Sequence, residues 1–477
     1  MNTRKFLISA LCSLAFGLAA CGGDSPAEAE TPVNNPFGGS QALPVSQGGV
    51  VATSSATILS SASGGGNGGQ SGQVAGLSPS ADPQVSKTLY QSWLAGHYVT
   101  LDKEATYYGD ISDQFRHVFK DQYLPAARIL WSTTQGTGYA TQCKVDESTD
   151  SKMKNRGCTV SEGIGYGMLI TAMQGETATF NSLWNYSRAF RAYHDQALTP
   201  WITYSFTYNI VDNGSATDAD LDIATSLLIM NAKTGEPAYL NDALTIIKGI
   251  WDTEVKDNML LSGDTPMWDG TKGSIVYNLS YFSPVALRLF AQYDQTHNWT
   301  AVLDQMYTYM ANIQAKGTGV FPDWSDATTA VNPPNNAAGN DRVGYTYHTF
   351  NKESVRIPWR IAWDYYWFQD PRAQAVLQKL NTFISTRANG DPTAAALSVS
   401  YSWDLSIGPD DTRNTAVPAQ WLSAWCATGI GTNSDWLKKC TDAVNQKTVS
   451  NTASSYFPDI LLMMYSQLLN GIYVKPF

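Results

Sequence analysis

A glutamate followed by alternating glycines is the first segment whose residue types could do chemistry. In Ser161–Met168, Glu162 stands at the start of a predicted helix, and three glycines follow at every second position. Glycines at this spacing let a ligand or another backbone approach closely. A helix N-terminus favours an ionised carboxylate, so burial or a second carboxylate must act in the opposite direction if Glu162 is a general acid. The structural alternative is a first-turn glutamate that only packs beside glycines.

The second segment, Ala216–Ala224, places three aspartates in one predicted helical turn. Asp218 and Asp222 are four residues apart and therefore share one face of the helix. An acidic first turn stabilises a helix, but three aspartates exceed what capping requires. A cation is one partner for fixed carboxylates, although the segment lacks the glycine and glutamate of an EF-hand. Sugar hydroxyls are the other.

A third carboxylate lies beside an arginine in residues 350–360. Glu353 and Arg356 are three residues apart and can pair on one helix face. An arginine favours the ionised form of its carboxylate partner, which suits a general base. Tryptophans recur every four residues just beyond this pair, a spacing that is typical of a core-facing stripe: Trp359, Trp363 and Trp367.

Aromatic residues in predicted loops form a fourth group, with glycine or proline nearby: Trp201, Trp268, Tyr281 and Trp324. Aromatic residues in such loops are more often exposed than those on helices, and sugar rings stack on exposed aromatic faces. The chain is 12% aromatic and has a formal net charge of -10. That acidic balance argues against nucleic-acid binding, which requires a basic surface. The combination of carboxylates and loop aromatics indicates carbohydrate.

Helices must position these residues, because apolar positions recur at helical spacing over most of the chain. Residues 168–173, 223–228, 244–251 and 461–469 show the pattern. Ser161, Thr217 and Asn241 are the predicted N-caps of three helices. Alternating strand patterns are few, and residues 201–208 are one candidate. A single helical domain of this size favours a closed, toroidal arrangement over a simple bundle.

The N-terminus resembles a bacterial secretory signal of the lipoprotein type. Arg4 and Lys5 precede an apolar stretch that ends at Cys21, the residue expected to carry the lipid. The alternative is an ordinary signal with a chance cysteine. We therefore expect a signal peptide at residues 1–20, a flexible Gly/Ser-rich tether at 21–85 and a catalytic domain at 86–477. The expected location is an outer-membrane or cell-surface lipoprotein, or a secreted protein.

Four cysteines remain outside the signal: Cys143, Cys158, Cys426 and Cys440. Three disulfide connectivities are open, of which 143–158 with 426–440 closes the shortest loops. Their spacing matches no zinc motif. Structural disulfides in an oxidising compartment are the better interpretation.

Motifs for other chemistries are missing from the sequence. There are five histidines but no HExxH pair, no GxSxG elbow and no phosphate-binding loop. We therefore expect no metal and no cofactor. The sequence gives no sign of an obligate partner chain, and a monomer is expected.

These segments together resemble glycoside hydrolase family 8, the group that contains bacterial endo-β-1,4-glucanases. The carrying segments occur in the family's order: Ser161–Met168, Ala216–Ala224, Tyr281–Pro284, Phe321–Trp324 and Arg356–Arg360. The resemblance implies an all-α fold, an (α/α)6 barrel, and hydrolysis with inversion. An inverting pair of carboxyls stands about 6.5–9.5 Å apart to admit a water molecule.

The resemblance also implies roles for the carboxylates. Glu162 would be the general acid, and Asp218 would hold the distorted sugar at the cleavage site. The base in the endoglucanase group is usually an aspartate three residues before the arginine of the last segment, where this chain has Glu353. If Glu353 does not serve, Asp341 or Asp323 is the expected substitute.

By the same resemblance, Trp201, Trp268 and Trp324 would bind glucosyl units, with Tyr281 and Arg356 near the cleavage point. The implied substrate is cellulose-type or mixed-linkage β-glucan, because the pattern around Asp218 departs from that of the family's xylanases. A chitosanase or an endo-xylanase on the same fold is the enzymatic alternative. A non-catalytic glycan-binding surface lipoprotein is the alternative from another class.

Overall fold

Inner and outer helices alternate along the chain in a computed structural model. The structure describes residues 76–101, 118–131, 143, 157–204, 210–266, 274–326, 348–393, 397, 400–404, 418–450, 452 and 455–477. Six helices of this described part lie inside: α2 Ser161–Gln174, α4 Thr217–Thr234, α6 Pro284–Tyr293, α8 Ile357–Phe368, α10 Ala419–Ala427 and α12 Tyr456–Leu469. Six lie outside: α1 Pro83–His97, α3 Thr177–His194, α5 Pro237–Glu254, α7 Trp299–Lys316, α9 Pro371–Arg387 and α11 Ser434–Val444.

The inner helices close into a ring. Each packs against the next inner helix in sequence order, and α12 returns to pack against α2. The first five inner helices each pack against the outer helix that follows in sequence, and α12, the last helix, packs against α1, the first. Two concentric rings of six helices are an (α/α)6 barrel, which confirms the predicted fold class.

Burial explains which helices lie inside. Helix α2 is buried on all sides from Ser161 to Met173, and α4 is buried from Thr217 to Met230. A helix whose apolar residues are spread over all its faces has no face for solvent and takes a central position. Gly165 allows α2 to approach α4 closely, because a Cβ there would lie 3.1 Å from Cβ of Asp222.

A small antiparallel sheet leads the chain into α2. Strand β3 (Cys158–Val160) pairs with β4 (Ile202–Tyr204), with Val160 opposite Ile202, and β4 pairs with β5 (Ile210–Asp212). The strand candidate within residues 201–208 is thus confirmed. The other described strands form three antiparallel pairs: β1 Tyr98–Thr100 with β2 Ala127–Ile129, β6 Val255–Lys256 with β7 Met259–Leu260, and β8 Thr349–Phe350 with β9 Tyr401–Ser402.

The predicted N-caps are wrong by one or more residues. Ser161 and Thr217 are the first residues of α2 and α4, and no side chain caps either helix. For α2, the sheet supplies the entry geometry that a capping side chain would otherwise give. Asn241 lies inside α5, which begins at Pro237 with Glu236 as its cap. Proline is favoured at this position because it lacks an N–H and has a fixed φ.

Packing of the tryptophans and cysteines follows the sequence analysis. Trp359, Trp363 and Trp367 of α8 are buried, which confirms the core-facing stripe. The disulfides are Cys143–Cys158 and Cys426–Cys440, the connectivity with the shortest loops, and the second joins α10 to α11.

The predicted signal and most of the predicted tether lie outside the described residues, and the first described helix begins at Pro83. Cys21, the predicted lipidation residue, is among those outside. None of the helices in the described part is long and apolar enough to span a bilayer.

Candidate active site

The predicted site residues and one further tyrosine meet where the inner helices begin. Glu162 is the second residue of α2, Asp218 the second of α4 and Tyr456 the first of α12. Tyr281 and Arg356 end the short 3₁₀ turns that lead into α6 and α8. Helix N-termini carry partial positive charge and unpaired N–H groups, so this end of the barrel favours anionic side chains.

One guanidinium joins all three predicted catalytic carboxylates. Arg356 is 1% exposed. Its Nη1 contacts Oε2 of Glu162 and lies 3.3 Å from Oδ2 of Asp218, while its Nη2 contacts Oε2 of Glu353. Because charge-assisted hydrogen bonds are about 2.8 Å long, the oxygens of Glu162 and Glu353 on this guanidinium are at most about 8 Å apart. That limit overlaps the spacing of about 6.5–9.5 Å between the carboxyls of an inverting pair.

A tyrosine that the sequence analysis missed holds the other oxygen of Glu162. The Tyr456 hydroxyl donates to Oε1 of Glu162 at 2.7 Å. Its ring lies against Gly163, where a Cβ would come within 3.1 Å of it. The glycine after Glu162 therefore leaves room for the tyrosine that orients the carboxyl.

Burial shifts the pKa values of two of these carboxyls upward. Burial raises the pKa of Glu162 more than the attraction of Arg356 and the hydrogen bond from Tyr456 lower it. Burial likewise raises the pKa of Asp218 to about 7 against the attraction of Arg356. A general acid must be protonated, although a helix N-terminus favours the ionised carboxylate. Glu162 meets this requirement, because burial outweighs the effects that favour its ionised form.

Glu353 is held from two sides. Besides Arg356, the Nδ2 of Asn278 donates to Oε2 of Glu353 at 2.6 Å. Both donors that reach this carboxylate from the described residues bind Oε2. Glu353 immediately precedes the 3₁₀ turn that ends at Arg356, so the predicted pairing forms on that turn and not on an α-helix. The sequence analysis did not select Asn278.

Asp323 is one of the two candidates for a substitute base, and its environment differs from that of Glu353. Its Oδ1 accepts the backbone N–H groups of Asn351 and Ser354, each at 2.9 Å. Burial, and then the charge of Glu353, raise the pKa of Asp323 to about 7. Asp323 therefore braces the turn that carries Glu353. Asp341, the other candidate, lies outside the described residues.

The loop aromatics divide into two groups. The ring of Tyr281 lies 5.4 Å from the guanidinium carbon of Arg356, so the structure brings these two residues together as expected. Trp201 and Trp324 are only 8% and 4% exposed, and the expectation of exposed loop rings is wrong for both. Their stacking on sugar stays a prediction, and Trp268 lies outside the described residues.

The buried loop rings have a physical reason in the local backbone. Trp201 is tied on both sides, since its N–H donates to Gly214 O and its carbonyl accepts from Ser161 N, each at 2.8 Å. Trp324 is followed by Ser325, whose backbone pairs with Tyr277. Segments fixed in this way are packed into the domain although they are not helical.

Residues 133–468 match the family described as Glycosyl hydrolases family 8. Endoglucanase A of Acetivibrio thermocellus is 30% identical over 261 residues, which cover 53% of this chain and 50% of that protein. Beta-glucanase of Niallia circulans is 27% identical over 333 residues, which cover 67% of this chain and 78% of that protein. The chain spans 50% of the length of the first relative and 62% of Endoglucanase 2 of Ruminiclostridium josui.

Solved structures of similar fold extend over most of the chain. The apo structure of a beta-1,3-1,4-glucanase from Paenibacillus sp. X4 has a TM-score of 0.61 at 22% identity, covering 82% of this chain and 92% of that one. A cold-adapted family 8 xylanase in complex with substrate has a TM-score of 0.62 at 15% identity, with coverage of 85% and 95%. At these identities the likeness shows the fold alone.

Proposed function

Because the chain belongs to glycosyl hydrolases family 8, we propose that it is an inverting endo-β-1,4-glucanase acting on cellulose-type or mixed-linkage β-glucan. The observation that carries the proposal is the set of three carboxylates around Arg356 at the end of the barrel. A protonated carboxyl and an ionised carboxylate on opposite sides of a sugar are what inverting hydrolysis requires.

In this mechanism Glu162 transfers its proton to the oxygen of the leaving sugar as the bond from C1 breaks. A water molecule attacks C1 from the opposite face, and Glu353 accepts the proton that this water loses. Tyr456 and Arg356 hold the Glu162 carboxyl between them. Asp218 is proposed to bind the sugar at the cleavage point, where Arg356 also balances its charge.

The substrate is proposed from the relatives and from the sequence around Asp218. Relatives named endoglucanase or beta-glucanase support a glucan. Xylanases among the structures of similar fold keep xylan open as an alternative, and chitosan stays open from the sequence analysis.

The test is release of reducing ends by the purified protein on carboxymethyl cellulose, mixed-linkage glucan, chitosan and xylan. Glu162→Gln runs beside it as a control. Activity on the glucans that disappears in the variant supports the proposal. Activity on chitosan or xylan alone keeps the mechanism and changes the substrate. Tight binding without cleavage of any polymer favours the glycan-binding protein.

The pH dependence of hydrolysis should show an acid that titrates above the ordinary glutamic acid range. Glu162 must be protonated to act, and burial raises its pKa from 4.5. Activity is then lost only as the pH rises through this higher pKa. Measured as kcat/KM from about pH 3 to about pH 9 on soluble glucan, the alkaline limb should have its midpoint above the ordinary 4.5. A midpoint at or below that value contradicts an acid made by burial.

We further propose that the protein is exported and anchored by a lipid on Cys21, which rests on the signal-like sequence before it. Two disulfides support an oxidising compartment. The Cys21→Ser variant should move from the membrane fraction to the soluble fraction, because one residue carries the anchor. Fractionation of cells followed by detection of the protein measures this. Equal membrane association of the variant and the parent contradicts a lipid on Cys21.

A further inference from the structure

An asparagine binds the same oxygen of the proposed base that Arg356 contacts. Asn278 is 2% exposed, and its Nδ2 lies 2.6 Å from Oε2 of Glu353. Arg356 contacts the same oxygen from the turn that follows Glu353. The two described donors therefore converge on Oε2, and Oε1 is the oxygen available to accept a proton from water.

The hydrogen bonds of Asn278 determine which way its amide points. Its Oδ1 accepts the backbone N–H of Ser280 at 3.0 Å and the Ser280 hydroxyl at 2.7 Å. An amide whose oxygen is engaged in this way must present its NH₂ group in the other direction. The group that faces Glu353 is thus a donor, which stabilises the ionised carboxylate.

A buried chain of contacts holds Asn278 in place. The Nε of Arg360 donates to the carbonyl of Ser280 at 2.7 Å. The guanidinium of Arg360 makes two hydrogen bonds to Asp222, at 2.8 and 2.9 Å. Asp222 lies one turn beyond Asp218 on α4. Helix α4 therefore supports both donors to Glu353, one through Asp218 and Arg356 and the other through Asp222, Arg360 and Ser280.

We propose that Asn278 is a positioning residue for the general base, a role that rests on the proposed function. Glutamate has one more rotatable bond than aspartate, so its carboxylate has more orientations to lose before it can act. Two donors on Oε2, one from Asn278 and one from Arg356, restrict the orientation of the Glu353 carboxylate. Oε1 is thereby directed at the water that attacks the sugar.

The sharpest test is Asn278→Asp. Aspartate has the same shape and can still accept the two hydrogen bonds from Ser280, but it replaces a neutral donor with a second carboxyl against Glu353. The two carboxyls must then repel each other or share one proton, and either outcome impairs the base. Since a misplacement of about 1 Å costs about 100-fold in rate, we expect kcat to fall by about 10- to 100-fold while KM changes by less than about twofold. Asn278→Ala, which removes the donor without adding charge, should show the same division between kcat and KM.

The temperature of the assay separates positioning from general support of the fold. The rates of the Asn278 variants are therefore measured well below the melting temperature of each variant. The protein is then fully folded, so a general loss of stability leaves kcat unchanged and a misplaced base lowers it.

Asn381→Ala is the matched control, because Asn381 is a 1% exposed amide that bonds Thr428 and Asn433 outside the site. It should lose thermal stability to a similar extent and keep the kcat of the parent. An active parent enzyme whose Asn278 variants keep the parental kcat overturns this inference alone. A loss of rate in the Asn278 variants that only equals the loss in Asn381→Ala also overturns it. A parent protein that cleaves none of the four polymers overturns the proposed function, and this inference with it.

Discussion

Glu162→Gln should reduce kcat on β-glucan by about 100- to 10,000-fold, the range that general acid catalysis supplies. Glutamine keeps the shape of the side chain and an oxygen that can accept the hydrogen bond from Tyr456. It has no proton to transfer at any working pH, so the leaving sugar must depart as an alkoxide. Because the substitution removes only the acid, binding of the polymer should stay close to that of the parent.

The leaving group distinguishes loss of the acid from damage to the site. An aryl glycoside whose phenol is already a good leaving group needs little protonation, so Glu162→Gln should cleave it with a much smaller loss. Glu236→Gln is the control, because it makes the same substitution at the exposed cap of α5, away from the site. Equal losses on the polymer and the activated glycoside would assign Glu162 a structural role.

Short sequence patterns identified the site residues that stand out from their immediate neighbours in the chain. Glu162 beside its glycines, Asp218 in an acidic turn, and Glu353 three residues from Arg356 each stand out over a few residues. Family resemblance then implied that these segments meet. The structure adds the single guanidinium on which they do so.

The residues that were missed depend on contacts between distant segments. Tyr456 is 294 residues from Glu162, and Asn278 is 75 residues from Glu353. Neither residue type is unusual in its own segment, so no pattern singles it out. The burial of Trp201 was missed for the same reason, since the residues that its backbone binds, Ser161 and Gly214, lie elsewhere in the chain. The misplaced caps reflect a sheet that sets where α2 begins.

Two aspartates and two arginines with the same spacing explain how the barrel holds several buried acids in one place. Asp218 and Asp222 are four residues apart on α4, and Arg356 and Arg360 are four residues apart where α8 begins. Each aspartate contacts the arginine at the same level. A buried carboxylate without such a partner would be strongly destabilising. With Asp218 and Asp222 paired in this way, Glu162 and Glu353 are the other two carboxyls beside the arginines. Both contact Arg356, and both are available for chemistry.

Glu353→Gln should reduce kcat by an amount comparable to that of Glu162→Gln, because an amide cannot accept the proton of the attacking water. Glu353→Asp should keep part of the activity, since the carboxylate stays but withdraws by one methylene. Asp323→Asn is the comparison, because its Oδ1 braces the turn that carries Glu353. We expect that variant to lose thermal stability more than turnover, as measured by melting curves and by initial rates on mixed-linkage glucan. Parental turnover in Glu353→Gln combined with an inactive Asp323→Asn would transfer the base to Asp323.

Added azide distinguishes a variant that lacks only the base from a variant whose site is damaged. It is already an anion and needs no deprotonation, so it can take the place of water in a variant that lacks only the base. Added azide should therefore restore cleavage of an activated β-glycoside by Glu353→Gln. Attack from the side of the water gives the α-glycosyl azide, which NMR identifies. The same addition should leave Glu162→Gln unchanged on the polymer, because the step lost there is protonation of the leaving group. Restoration in both variants, or a β-configured product, would contradict the assignment of Glu353 as the base of an inverting reaction.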